Sequence, residues 1–156
     1  MLARFVTAHP SVMRDTAIDA QIALGAIYYD LGRLDSARVV FERCAARDAS
    51  TAACRGHLGL LALRRGDRAG AARIDAELAA LDLPVPLKAR ASIFRARMAA
   101  VSGDRMAAVT LLRTAIAQGA GIGNPIDNGL AVILGYPEFG TLAGYASFEA
   151  MRRPTN

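Results

Sequence analysis

The residues able to do chemistry are few, and they do not assemble. His9 and His57 each stand without a carboxylate or cysteine at metal-ligand spacing. Asp15 and Asp19, four apart on one helix face, are candidates for acid–base work, but with Arg14 beside them the pair reads as a solvated face. Gly119, Gly121 and Gly123 invite comparison with a phosphate-cradling loop. That loop would follow a helix rather than a strand, and it lacks the Gly-Lys-Ser/Thr that grips phosphate. Cys44 and Cys54 form no Cys-x-x-Cys pair, and in an apolar, helix-rich chain they read as reduced, buried packing thiols. No Ser/His/Asp or Cys/His set follows from spacing. The expectation is a chain that is no enzyme and has no catalytic, cofactor or metal site.

Charge adds little to that. The chain has 156 residues, 53% of them hydrophobic, and a net charge of +5. Only one of its 19 basic residues is a lysine, Lys88, a bias that suits the coding of a GC-rich bacterium. The arginines are spread along the chain rather than gathered in a stripe, so the pattern indicates neither nucleic acid nor a small molecule as partner. No stretch approaches eighteen uninterrupted apolar residues. Met1 to Pro10 lacks the long apolar core of a signal peptide, and the expected location is cytoplasmic.

The elements that could position a binding surface are helices. Asp19 to Ala49 reads as two amphipathic helices folded back at Gly32, with Leu24 and Tyr28 four apart on one face. The first is expected from about Arg14 to Asp30, burying Ile18, Ile22 or Leu24, Ile27, Tyr28 and Leu31; the second runs from about Leu34 to Arg47. The phrase recurs 34 residues later, with Leu58, Gly59, a turn at Gly66 and Ala71, and Asp67 as a helix N-cap. Leu83-Pro84-Val85-Pro86 interrupts it. A third unit follows at an offset of 37, where Leu87, Ala91, Phe94, Met98 and Val101 form a buried stripe and Gly103-Asp104 repeats Gly66-Asp67. Asp75 stands where an aromatic is expected, so Ile74 and Leu78 must fill its layer, and Arg95 stands where a leucine is expected, which suggests a register slip of one. After the glycine joint, short helices are expected from Asn124-Pro125 through about Leu134, from Pro137, and near Ser147.

Gln21-x-x-Leu24-Gly25-x-x-Tyr28 with Ala37-x-x-x-Phe41 resembles the tetratricopeptide (TPR) repeat, a helix-turn-helix unit of about 34 residues. Gln21 replaces the usual Trp, and Ala49 the usual Pro. The tail Tyr136-Pro137-Glu138-Phe139-x-x-Leu142 with Phe148 resembles one that follows TPR arrays in bacterial signalling proteins. The resemblance implies a single all-α domain, a TPR-like α-solenoid of about three repeats with short C-terminal capping helices. Residues 1–13 would be a partial preceding helix, 14–49, 50–83 and 87–118 the repeats, and 124–152 the cap.

It also implies a concave groove that takes a peptide or partner protein. By repeat position the groove would be lined by Asp19, Ile22, Ala26 and Tyr29, then Gly56, Leu60, Leu63 and Arg64, then Arg90, Ile93 and Arg97. Arg64, Arg90 and Arg97 would make one end basic, suited to acidic and apolar partner residues. The chaperone-type carboxylate clamp is not matched, because Ile22, Ala26 and His57 occupy its polar positions. The alternative expectation is the C-terminal regulatory or sensory part of a larger signalling protein or transcription regulator.

Overall fold

The computed structural model describes residues 10–47, 52–121 and 129–153, with side chains from Ala17 onward. Leu2, Phe5 and Val6, Ala49, and Asn124-Pro125 lie outside the described residues. Helix α1 spans Pro10–Asp30, α2 Leu34–Ala45, α3 Ala52–Arg64, α4 Arg68–Ala80, α5 Val85–Ser102, α6 Arg105–Ala117, α7 Gly129–Leu134 and α8 Ala146–Arg152. A 3-10 turn, Pro137–Leu142, lies between the last two, and there is no strand among the described residues.

Three turns built alike set the first six helices. Gly32, Gly66 and Gly103 have φ of 72°, 82° and 89°, a left-handed conformation that glycine adopts without steric cost. In each turn the next residue donates its N–H back to a carbonyl of the last helical turn: Arg33 to Tyr28 at 2.8 Å, Asp67 to Ala62 at 2.9 Å and Asp104 to Ala99 at 2.9 Å. Asp67 and Asp104 then accept from the N–H of Gly70 and Ala107, at 2.8 and 2.9 Å, and so cap α4 and α6. Helix α1 begins at Pro10 rather than near Arg14, because a proline in the first turn lacks only an N–H that has no helical partner there. The same tolerance lets α5 start at Val85, with Pro86 in its first turn.

The hairpins α1–α2, α3–α4 and α5–α6 pack on one another through α2 and α1 against α3, and α3 and α4 against α5. Their close approaches use the small residues expected there. Ala37, Ala71 and Ala108 are buried. A Cβ on Gly25 would overlap the Phe41 ring, and one on Gly59 would overlap the Met98 sulfur and press on Ile74 Cγ2 at 3.3 Å. The 3-10 turn lies on α5, and Phe139, Leu142 and Phe148 close the end of the α5–α6 pair.

Four expectations are corrected. Leu24, Ile27 and Leu31 are 44%, 55% and 67% exposed instead of buried, since no described helix packs on that side of α1. Val101 is 41% exposed at the end of its stripe. Helix α5 keeps the repeat register: Arg95 Nε and Nη2 donate to Asp75 Oδ1 at 2.9 Å and Oδ2 at 3.3 Å, while Ala96, 37 residues after Gly59, is fully buried. The two departures therefore pair with each other, and Leu78 is buried beside them. Finally, Cys44 and Cys54 are buried as expected but form a disulfide, with Cα atoms 6.0 Å apart. It joins the last turn of α2 to the first of α3, a proximity that a spacing of ten residues does not reveal.

Closing so short a loop lowers the entropy of the unfolded chain, so reduction, or Cys44→Ala with Cys54→Ala, should cost about 3 kcal/mol in urea unfolding. Gly25→Ala gains about 1 kcal/mol of helix propensity but must displace the buried Phe41 ring; a net loss of roughly 1–3 kcal/mol is expected by the same measurement.

Candidate binding groove

A periodicity of three and four turns Asp19, Ile22, Ala26, Tyr29 and Asp30 of α1 toward one side, opposite the bare Leu24 face. There they line an open pocket of about 820 Å³. Helix α3 contributes Ala53, His57 and Arg64, and α5 contributes Arg90, Ile93, Phe94, Arg97 and Val101. The cap closes one end with Tyr136, Pro137, Glu138 and Thr141.

Of the residues expected in a groove, Asp19, Ile22, Ala26, Tyr29, Arg64, Arg90, Ile93 and Arg97 meet around this pocket. Leu60 does not, being 2% exposed in a core cluster with Leu78, Phe94 and Met98. Leu63 packs at the edge of the same cluster. Gly56 is where α5 rests on α3, since a Cβ there would overlap the Phe94 ring. The expected set left out Asp30, Ala53, His57, Phe94, Val101 and the whole contribution of the cap. Asp30 and Val101 could have been found, as they stand 34 before and 37 after Arg64.

The expected basic end is altered by partners. Arg97 Nε donates to Glu138 Oε2 at 3.1 Å and Nη2 to Oε1 at 2.9 Å, and both side chains are only 9% exposed. Its guanidinium lies 4.4 Å from the Tyr136 ring centre and 4.9 Å from that of Phe94. A buried pair of this kind holds because each charge satisfies the other, so Arg97 anchors the cap and is not a solvent-facing contact. A second tether runs from Thr141 Oγ1 to the Ala100 carbonyl at 3.1 Å. Arg64 donates to the Tyr29 carbonyl at 2.6 Å and stacks over the Tyr29 ring at 4.7 Å, covering an end carbonyl of α1 from a neighbouring hairpin. Burial above all, and then the Glu138 carboxylate, push the Tyr29 phenol up, with Arg64 and Arg97 offsetting part; it stays a neutral hydroxyl.

His57 sits in the pocket wall between two aromatic rings. It stacks on Phe41 with centroids 4.5 Å apart and planes 2° apart, and meets Phe94 edge-on at 4.8 Å. Its Nδ1 is buried with no hydrogen-bond partner. Burial, and secondly the Arg97 charge, push it down from 6.5 to about 3, so the imidazole is neutral in the folded protein. Among the described residues no three metal-binding side chains converge. The pocket wall combines shape, apolar area and a few fixed charges.

The depressed His57 value has a definite sign. Above pH 6.5 the imidazole is neutral in both states; below it the unfolded chain gains a proton that the folded one refuses, and stability falls toward pH 3. By pH 5 the loss should reach about 2 kcal/mol, at 1.36 kcal/mol per pKa unit. Urea unfolding at pH 7 and pH 5 should show His57→Phe free of that component, the carboxylates being common to both proteins.

Comparison of the chain with protein-family models, with curated proteins and with solved structures found no match.

Proposed function

We propose that the chain is a TPR-like α-solenoid of three helical hairpins and a short helical cap, and that it binds a peptide segment of a partner protein in the α1–α3–α5 groove, without catalysis. One observation carries this reading. Residues at equivalent repeat positions converge on a single pocket: Asp19, Ala53 and Arg90 in one row, and Asp30, Arg64 and Val101 in another, each spaced by 34 and then 37. That is the relation a stack of similar hairpins produces, with first helices side by side and a concave surface between them. The pocket wall sets apolar and aromatic side chains among charged ones, which favours a segment held by side-chain anchors. Ordering a flexible peptide costs entropy, so micromolar affinity is the expectation.

A second reading, a regulatory part of a larger bacterial signalling protein, is favoured by the bare Leu24, Ile27 and Leu31 face of α1, which a further helix would cover. No helix of the described residues is long and apolar enough to cross a membrane. The cytoplasmic placement expected from composition has the Cys44–Cys54 disulfide against it, and an oxidising compartment suits that bond.

The test is selection of a random peptide library displayed on phage against the wild-type protein and Ala26→Arg. Ala26 is half-buried on the groove face, so an arginine there fills the pocket without entering the core. Peptides enriched on the wild type should lose at least about tenfold in affinity on the variant, equivalent to roughly 1.4 kcal/mol. Equal binding by both proteins, or no enrichment, would discard the groove.

A further inference from the structure

We infer that the peptide taken by this groove is basic rather than acidic: it carries two Lys or Arg residues on either side of an apolar anchor, and their charges meet Asp19 and Asp30 of α1. The inference rests on the groove reading above. It begins with the arginines, which would otherwise call for an acidic ligand. Arg97 is neutralised by Glu138 in a buried bidentate pair, Arg64 is bound to the Tyr29 carbonyl and ring, and Arg90 is also engaged.

The carboxylates are in the opposite condition. Asp19 and Asp30 line the same pocket, both are exposed, and neither has an ion pair or hydrogen bond among the described residues. Eleven residues apart on one helix, they stand about 16 Å from each other at 1.5 Å per residue. Ile22, Ala26 and Tyr29 fill the interval between them. Asp30 is the last residue of α1, where the negative end of the helix dipole disfavours a carboxylate and a ligand cation would relieve it. Arg64 lies beside that end and offsets part of its charge, so Asp19 is the stronger of the two determinants.

A second observation marks the same pocket as incomplete. His57 lines it, between the Phe41 and Phe94 rings, with a buried Nδ1 that has no hydrogen-bond partner among the described residues, a costly arrangement. An extended peptide rises about 3.3 Å per residue, so two cations five residues apart span the 16 Å between the acids. The recognition pattern is therefore a basic residue, four residues that include apolar anchors, and a second basic residue.

The peptides selected on the wild-type protein decide the matter. Lys or Arg should be enriched at two positions about five apart, and a selected peptide should lose roughly tenfold or more in affinity on Asp19→Asn with Asp30→Asn. Asp19→Asn alone should cost more than Asp30→Asn alone, and raised salt should narrow both differences. Both sites are exposed, and unchanged thermal melts of the variants will separate lost contacts from lost fold. Enrichment of acidic or uncharged peptides, or equal affinity for the double variant, would overturn this inference and leave the groove standing. Absence of any selected peptide would overturn both.

Discussion

Everything in this molecule depends on how closely neighbouring helices can approach. The buried Phe41 ring of α2 occupies the space that a side chain on Gly25 of α1 would need, and Met98 of α5 occupies the corresponding space at Gly59 of α3. Interiors are close-packed, so a ring pressed against bare backbone leaves no room for even one methyl group. The same economy places Gly56 under Phe94. Those contacts hold α1 against α2 and α3 against α5, and the adjoining faces of α1, α3 and α5 line one pocket. The groove thus follows from the packing behind it, and His57, stacked on Phe41 and edge-on to Phe94, joins the two.

Polar pairs do the rest of the joining, at positions where an all-apolar contact would be the simpler choice. Asp75 and Arg95 face each other across the α4–α5 joint, only partly shielded from water. Arg97 and Glu138 bind the cap to α5 in a dry, aromatic surrounding. Replacing one member of such a pair leaves a charge without its partner, so each pair specifies a particular neighbour more sharply than a leucine would. The Arg65–Asp35 ion pair and the Cys44–Cys54 bond act likewise between the first hairpin and α3. That joint sets the separation of the α1 wall from the rest of the groove. The disulfide is seated on Ile18, with Ile22 of the groove wall packed beside it.

The two ends of the stack differ. At one end Phe139, Leu142 and Phe148 cover the last hairpin and the 3-10 turn reaches into the groove; at the other, no described helix covers the outer side of α1. A cap that also lines the pocket closes it at one end, with Tyr136, Pro137, Glu138 and Thr141 standing beside α5.

The division between what was legible in the sequence and what was not follows the range of the interactions. Turn positions, helix identities and the groove-facing side of α1 could be read directly. A left-handed glycine, an aspartate cap and a period of 3.6 are local properties, set within a few residues of Gly32, Gly66 and Gly103. What covers each apolar face, which arginine is neutralised and whether two cysteines meet are settled between residues 10 to 41 positions apart, and only the packed structure decides them. Periodicity marked Leu24, Ile27 and Leu31 as apolar but held no information on whether a neighbouring helix was there to bury them. Repeat position assigned Leu60 to the groove with the same gap, since burial depends on the helix that arrives alongside and not on the pattern of the helix itself.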